Sequence, residues 1–200
     1  MTFVEAFYSF NLDITNVDTG HIGKARVKTP KHPYESYEHL YARTLALVHA
    51  WEKGLTFSHG YFEPDEPTIW KQDVLGNLES WIEVSCPERK KILAALRSAL
   101  PPPHKTRFAV YFYNDEQILK FCDSMRGSKE NWISDISFYR IDLDILEALI
   151  SLKRSSANWS VTIIDNNLYL YCDGHELSTT IHLIDMWQQF QESIDNITKL

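Results

Sequence analysis

The sequence lacks the cysteine and histidine patterns of a disulfide-rich or zinc-binding protein. Its 200 residues include only three cysteines, which are Cys86, Cys122 and Cys172. Because they are far apart and odd in number, we expect free thiols in a reducing compartment rather than a disulfide framework. None of the eight histidines stands in a His-x-x-x-His spacing, and no Cys-x-x-Cys pair occurs. The spacings that place two zinc ligands on one face are therefore absent.

The sequence also has no long apolar run and no excess of positive charge. No stretch approaches the roughly 20 apolar residues of a membrane span, and the first residues show neither a basic flank nor an apolar signal core. We therefore expect a soluble, cytoplasmic protein without membrane contacts. The net charge is −7, whereas a protein that binds many phosphates needs a local excess of lysine and arginine. Any nucleic-acid binding should thus be local and weak.

The order of the predicted segments indicates one compact α/β domain with a mixed sheet flanked by helices. The segments are an N-terminal hairpin (3–15 and 20–29), a strand (107–113), a helix (116–126), a strand (136–141), a helix (142–153), and three strands (159–164, 168–172 and 175–183). The strand and helix alternation predicts parallel pairing, and the last three strands predict an antiparallel meander. A terminal helix from about Asp185 should bury Trp187, Phe190, Ile194 and Ile197.

The N-terminal hairpin is followed by a predicted helix from Pro33 to about Lys53, with a buried stripe that includes Tyr37 and Trp51. In the second strand of the hairpin, three cations alternate with apolar residues and share one face; they are Lys24, Arg26 and Lys28. A solvated sheet edge protected by charge is a better interpretation than a phosphate-facing stripe. Glu35 falls in the first turn of the predicted helix, where a carboxylate complements the helix dipole.

Residues 66–85 predict two strands around a tight turn. A two-residue turn at 76–77 would pair Trp70 with Glu83. It would also place a single acid, Glu83, on a surface whose other members are Thr68, Trp70, Gln72, Trp81 and Ser85. Asp73 would lie on the opposite surface. Metal-dependent phosphodiester hydrolysis needs acids that converge on one cation, usually with a lysine that orients water. This hairpin alone supplies only one such acid.

A helix should begin directly after the hairpin. Ser85 and Glu88 match a capping box, with Ser85 as the N-cap. The cations at 89–91 should point outward in the first turns. One of them could reach over Glu83, although a solvated charge run is the commoner arrangement.

A further set of motifs runs through the chain in an order and spacing that are specific when taken together. They are His32-Pro33-Tyr34-Glu35 with Arg43 and Ala46, Phe57 and Gly60, Asp65-Glu66-Pro67 with Trp70, Asp73 and Gly76, Trp81-Ile82-Glu83-Val84 with Pro87, Val110-Tyr111 with Tyr113, and Thr162-Ile163 with Asp165. Together they resemble the bacterial YaeQ family, whose fold is similar to that of the PD-(D/E)XK restriction-endonuclease superfamily. The resemblance covers about residues 1–180. It implies a restriction-endonuclease-like core in a single domain (1–200), with the family core at 1–183 and a helical extension at 184–200.

The resemblance implies a cluster of three acidic positions. These are Glu35, an acid just after Pro67, and Glu83. Here the middle position holds Thr68, which cannot bind magnesium as a carboxylate does. Glu66 has the same strand parity as Thr68 and could turn inward to replace the missing acid.

The resemblance also implies a basic residue near Glu83. Nucleases of this superfamily carry a lysine at the position of Ser85, whereas the YaeQ family usually has glycine there and a basic residue in the following helix. That helical position corresponds to Ala94 in this sequence. Lys90 or Lys91 would therefore have to replace it from a shifted position.

We favour a degenerate, non-catalytic site that acts as a binding module for a nucleic-acid end or a protein partner. The alternative is a Mg²⁺-dependent phosphodiesterase in which Glu35, Glu66 and Glu83 bind the metal and Lys90 or Lys91 assists. No cofactor other than Mg²⁺ is suggested. A third interpretation is that Glu35 and Glu83 pair with Arg43 or other cations in a purely structural network, because buried carboxylates need partners.

Overall fold

The computed structural model of the protein describes residues 6–58, 66–99, 105–125 and 131–198. The strands in these ranges are β1 (Ala6–Asn16), β2 (His21–Lys31), β3 (Thr56–Phe57), β4 (Ile69–Gln72), β5 (Leu78–Val84), β6 (Arg107–Phe112), β7 (Ile136–Ile141), β8 (Ser156–Ile164), β9 (Asn167–Cys172) and β10 (His175–Ile184). The helices are α1 (Tyr37–His49), α2 (Arg89–Arg97), α3 (Asp115–Ser124), α4 (Leu143–Ser151) and α5 (Met186–Thr198), with a short 3-10 helix at Asn131–Asp135. None of these helices is long and apolar enough to cross a membrane.

The strands form one mixed sheet in the order β2-β1-β8-β9-β10-β7-β6-β5-β4-β3. Strands β5, β6 and β7 are parallel neighbours connected through α2 and α3, as parallel strands require a crossover. Strands β8, β9 and β10 form an antiparallel meander. Its turns contain Asn166 and Gly174 in the left-handed region, which asparagine and glycine adopt most easily. The predicted α/β class, the parallel layer and the meander are confirmed.

The N-terminal hairpin has the predicted arrangement, and β2 is an outer strand of the sheet. Strand β1 alternates between exposed side chains and buried ones that pack in the core, such as Phe10 and Ile14. On β2, Lys24, Arg26 and Lys28 are all exposed. The prediction that these cations lie on a solvated sheet edge is therefore confirmed.

Two apolar layers lie on opposite faces of the sheet. Helices α1 and α4 pack on one face, together with Ile82 and Val84 of β5. Helices α2, α3 and α5 cover part of the other face, where Trp81 points. Because side chains alternate along a strand, Glu83 projects towards this second face.

The terminal helix matches its prediction only in part. Phe190 is partly buried against the second layer. Trp187 is half exposed, so its predicted burial is wrong. The side chains of Ile194 and Ile197 lie outside the described residues.

Helix α1 is shorter than its periodicity predicts. It begins at Tyr37 rather than at Pro33, because the Ser36 hydroxyl accepts a hydrogen bond from the backbone N–H of His39 at 3.1 Å and acts as the N-cap. Glu35 therefore precedes the helix, and the prediction that it lies in the first turn is wrong. The helix ends at His49 instead of Lys53.

The second hairpin has a different register from the one predicted. Trp70 pairs with Trp81 rather than with Glu83, and a bulge follows at Lys71 and Gln72. The cause is a longer turn: the Asp73 carboxylate accepts hydrogen bonds from the backbone N–H groups of residues 75 and 77, each at 2.8 Å. The pairing is shifted by two residues relative to the prediction. Up to the bulge, the side chains of both strands therefore still point to the predicted faces of the sheet.

Candidate functional site

A cavity of about 410 Å³ lies where β5 ends, next to the start of α1 and the end of β2. Its wall is formed by Thr29, Pro30, Tyr34, Ser36, His39, Arg43, Phe57, Ser58, Glu66, Pro67, Thr68, Glu83, Val84, Ser85, Lys91 and Tyr113. Of the residues predicted for the site, Glu66, Glu83 and Lys91 line this cavity. Glu35 and Lys90 do not contribute to its wall.

The carboxylate of Glu83 is surrounded by groups of the protein itself. Its Oε1 accepts hydrogen bonds from Lys91 Nζ at 3.0 Å and from Thr68 Oγ1 at 3.2 Å, and its Oε2 accepts one from the Thr68 backbone N–H at 3.1 Å. Burial raises the pKa of Glu83 above its usual value, although the Lys91 charge and the Thr68 hydrogen bonds act in the opposite direction. Glu83 is thus a buried acid with an internal counterion, and it faces the cavity.

Lys91 is the helical cation that reaches Glu83. Its side chain is 18% exposed and comes from the first turn of α2. The adjacent Lys90 side chain is 83% exposed, and its ammonium lies 2.9 Å from the Glu88 carboxylate. Neighbouring residues differ by about 100° around a helix, and the fully buried Ile92 fixes which of the two lysines turns inward. A catalytic role for either lysine stays a prediction.

Glu35 is fully engaged in a buried network behind the cavity wall. Its Oε1 accepts hydrogen bonds from Arg43 Nε at 2.6 Å and from His39 Nδ1 at 2.8 Å. Its Oε2 is 3.1 Å from an Arg43 guanidinium nitrogen and 3.3 Å from the His32 backbone nitrogen. Burial disfavours ionisation, but the His39 hydrogen bond and the Arg43 charge outweigh it and hold the pKa of Glu35 below its usual value.

Two of the three predicted metal ligands, Glu35 and Glu83, are hydrogen-bonded by side chains of the protein itself. Among the residues that the structure describes, no group of three or more histidine, cysteine, aspartate or glutamate side chains is arranged to hold an ion. Arg43 and His39 donate hydrogen bonds to the Glu35 carboxylate, and Lys91 and Thr68 donate to the Glu83 carboxylate. These carboxylate oxygens are therefore not directed at a common ion. Hard cations such as Mg²⁺ need several converging oxygens. This donor set does not fit such an ion as it stands.

Tyr113 lines the cavity but is not among the site residues predicted from the sequence. Burial raises the pKa of its hydroxyl, although hydrogen bonds with the side chains of Gln117, Ser36 and Ser85 oppose this effect. Tyr113 follows β6 directly. The carboxyl ends of parallel strands commonly border ligand sites. The position of Tyr113 directly after a predicted central strand could therefore have identified it as a cavity residue.

Ser85 does not cap α2, and the predicted capping box is wrong. The N-cap of α2 is Glu88, which makes no side-chain capping hydrogen bond. Ser85 instead continues the parallel ladder, with its backbone N–H donating to the Tyr111 carbonyl at 2.8 Å. It has φ of +83°, in the region that favours glycine. Backbone strain at this position therefore adjoins the cavity.

Ser85→Gly should have a free energy of unfolding about 1 kcal/mol higher than Ser85→Ala, because both variants lose the hydroxyl that bonds Tyr113 and only glycine relieves the left-handed conformation, which costs about 1–2 kcal/mol. Thermal unfolding would show this as a melting temperature about 2–4 °C higher. Ser85→Ala is the matched control, since it removes the same hydroxyl but keeps the β-carbon. A glycine variant no more stable than the alanine variant would contradict the assignment of strain.

Comparison with known proteins gives consistent matches over most of the chain. A family model described as "YaeQ protein" matches residues 1–181. "Uncharacterized protein YaeQ" of Escherichia coli is 24% identical over 190 residues, which cover 94% of this chain and 99% of the relative. The crystal structure of the YaeQ protein from Pseudomonas syringae aligns with a TM-score of 0.75 at 21% identity, over 90% of this chain and 96% of that one. The YaeQ structure from Xanthomonas axonopodis pv. citri gives 0.77 at 21% identity, over 90% and 98%.

Proposed function

The chain belongs to the YaeQ family, and from the geometry of its cavity we propose that it is a non-catalytic binding module derived from the PD-(D/E)XK nuclease fold. The observation that carries this proposal is that the acids do not converge: Glu35 lies behind the cavity wall, bound by Arg43 at 2.6 Å and by His39 at 2.8 Å, and Thr68 replaces the acid that would complement Glu83. In a nuclease of this fold the equivalent acid would bind a metal ion. Here the Lys91 ammonium and the Thr68 hydroxyl donate hydrogen bonds to the Oε1 of Glu83, an oxygen that would otherwise be available to the ion.

The electrostatics of the cavity disfavour metal binding at Glu83. A divalent ion at Glu83 would have to compete with the Lys91 ammonium for the same carboxylate oxygen, Oε1. Displacing Lys91 would leave its own charge largely buried without a partner, which is costly. Metal binding would therefore have to overcome two unfavourable changes at once.

The cations around the cavity favour a protein partner over a nucleic acid. Arg43 contacts Glu35 at 2.6 Å, and Lys91 contacts Glu83 at 3.0 Å. Lys90, which lies outside the cavity wall, contacts Glu88 at 2.9 Å. Phosphate binding depends on cations whose charge is not already neutralised. A nucleic-acid end is the second possible ligand, and the overall charge of −7 makes it the less favourable one.

A Mg²⁺-dependent phosphodiesterase is the alternative function. One observation supports it: Glu66, Glu83 and Lys91 line the same cavity. Two carboxylates together with substrate phosphate oxygens are sufficient for some Mg²⁺ sites. Because Lys91 binds Glu83 directly, this alternative requires the ion pair to open when the metal enters.

Isothermal titration calorimetry with Mg²⁺ and Mn²⁺ distinguishes the two functions when it is run both on the protein alone and in the presence of a short oligonucleotide, whose phosphates complete the metal site that the alternative requires. The wild-type protein should give no heat of binding, and Glu83→Gln should behave identically. Glu66→Gln removes the second carboxylate of the described cavity wall without touching the ion pair, and it should also be indistinguishable from the wild type. A saturable heat in the wild type that is lost in Glu83→Gln would reject the binding-module proposal and favour the phosphodiesterase.

A further inference from the structure

The two outermost strands of the sheet, β2 and β3, lie on either side of one groove. The groove has a volume of about 280 Å³ and is bordered by residues 25–30 of β2 and by Thr56–Phe57 of β3. Its apolar wall is completed by Leu47, Trp51 and Leu55. The sheet therefore curves around α1 until its two edges face the same groove.

The groove side of β2 presents backbone groups that an additional strand can use before Pro30, which has no N–H and whose carbonyl already accepts a hydrogen bond from Arg43 at 2.8 Å. In the described part of the sheet, β2 pairs only with β1, along eleven residues. In an antiparallel pair the N–H and C=O groups of alternate residues point away from the partner strand. Such an edge is a template for an extended segment of another chain.

The side chains of β2 define which segment would fit. Arg26 and Lys28 are exposed, and the β1 residues opposite them are Asn11 and Ser9, which carry no charge. Lys24 is the cation of this row that already has a carboxylate, Asp13, at 2.8 Å. An added strand would place alternate side chains beside this cationic row. Its remaining side chains would face the apolar side of the groove.

We infer that the edge of β2 binds an extended segment of a partner protein in which acidic and apolar residues alternate. Acidic side chains would lie beside Arg26 and Lys28, and apolar ones would lie over Trp51 and Leu47. A second copy of this chain is a poorer occupant, because pairing β2 with itself would place like charges beside each other. The inference rests on the proposal that the chain is a binding module, but on a surface outside the Glu83–Lys91 pair.

The groove is continuous with the cavity that Glu83 lines. Thr29, Pro30, Phe57 and Ser58 line both spaces. A strand bound along β2 would therefore direct one end towards the cavity that contains Glu83 and Lys91. This continuity connects strand addition at the edge to ligand recognition in the cavity.

Fluorescence anisotropy with defined peptides tests the inference. The probe is a labelled peptide of alternating glutamate and valine, and its control has the same composition in two blocks. The alternating probe should bind the full chain at least about tenfold more tightly than the block control, with an affinity that falls as salt is raised. Equal binding of the two peptides, or no binding of the alternating probe at any soluble concentration, would overturn the inference.

Charge reversal on β2 provides the matched variant. The double substitution Arg26→Glu and Lys28→Glu changes two exposed side chains, so circular dichroism should show an unchanged fold. It should weaken binding of the glutamate probe at least about tenfold and allow binding of an alternating lysine and valine peptide. If the variant binds the glutamate probe as well as the wild type does, the inference is wrong. Self-association of the wild type that this variant removes would instead identify a second copy as the occupant and would also overturn it.

Backbone methylation of the probe tests strand pairing itself. Methyl groups on the amide nitrogens of one alternate set of residues should abolish binding, whereas methylation of the other set should leave it intact, because only one set faces β2. Loss of binding with both sets, or with neither, would reject strand addition. None of these measurements involves Glu83, so they can fail while the metal titration still supports the binding module, and the reverse also holds.

Discussion

Replacing Lys91 by methionine should lower the free energy of unfolding by about 3–5 kcal/mol at pH 7, because removing one partner of a buried ion pair leaves the other charge uncompensated. The side chains of Lys91 and Glu83 are 18% and 10% exposed, so solvent screens the pair only slightly. Methionine keeps most of the apolar stem of lysine and removes its charge. Urea denaturation followed by circular dichroism measures the loss.

Lys90→Met is the matched control for this experiment. Lys90 is the neighbouring lysine in the same helix, but its pair with Glu88 is exposed to solvent and should contribute little to stability. If the two variants lose similar amounts of stability, the Glu83–Lys91 pair does not have the importance that its burial indicates. Adding Glu83→Gln to the Lys91 variant should recover much of the loss, because the uncompensated charge is then absent.

The stability of the Lys91 variant should depend on pH with a defined sign. Burial raises the pKa of Glu83 in the folded protein, and loss of Lys91 removes an opposing effect. A folded-state pKa above the unfolded value gives stability that is fully present below the unfolded pKa and is lost as pH rises through the folded pKa. The difference between the variant and the wild type should therefore shrink as the pH is lowered towards about 4. A difference that grows in acid would contradict this assignment.

The sequence was sufficient to predict the architecture because the necessary signals are local. The alternation of cations and apolar residues along β2 and the three strands of the meander depend only on near neighbours, and both predictions were correct. The register of the second hairpin depended on whether Asp73 would bond to the backbone of its own turn. A short tight turn and this longer turn are both compatible with the sequence, so register was the less predictable feature.

The candidate site was less predictable because its partners come from distant parts of the chain. The sequence identified Glu83 and named both Lys90 and Lys91, but the choice between them depends on how α2 packs through Ile92. Ser85 satisfied a local capping rule, yet the ladder to Tyr111 determined its conformation. Departures from local rules concentrate at strained or functional positions, and Ser85 borders the cavity.

Arg43→Met should also destabilise the protein by about 3–5 kcal/mol, because Glu35 would lose its main counterion while its side chain stays fully buried. Arg43 also donates hydrogen bonds to Thr29 Oγ1 at 2.6 Å and to the Pro30 carbonyl at 2.8 Å. Arg43→Lys is the control that keeps the charge but cannot form the same fork, so its loss should be intermediate. Urea denaturation of the three proteins measures this order.

In the wild-type protein, lowering the pH should reduce the contribution of Glu35 to the free energy of unfolding, whereas it should not reduce the contribution of Glu83. The pKa of Glu35 is lowered in the folded state, so its contribution is present above the unfolded pKa and is lost as pH falls through the folded pKa. In Arg43→Met the desolvation remains and the compensating charge is gone, so the pKa of Glu35 should rise and this acid-dependent loss should disappear. If acid weakens the variant as much as the wild type, Arg43 is not what keeps Glu35 ionised, and the structural interpretation of this pair fails.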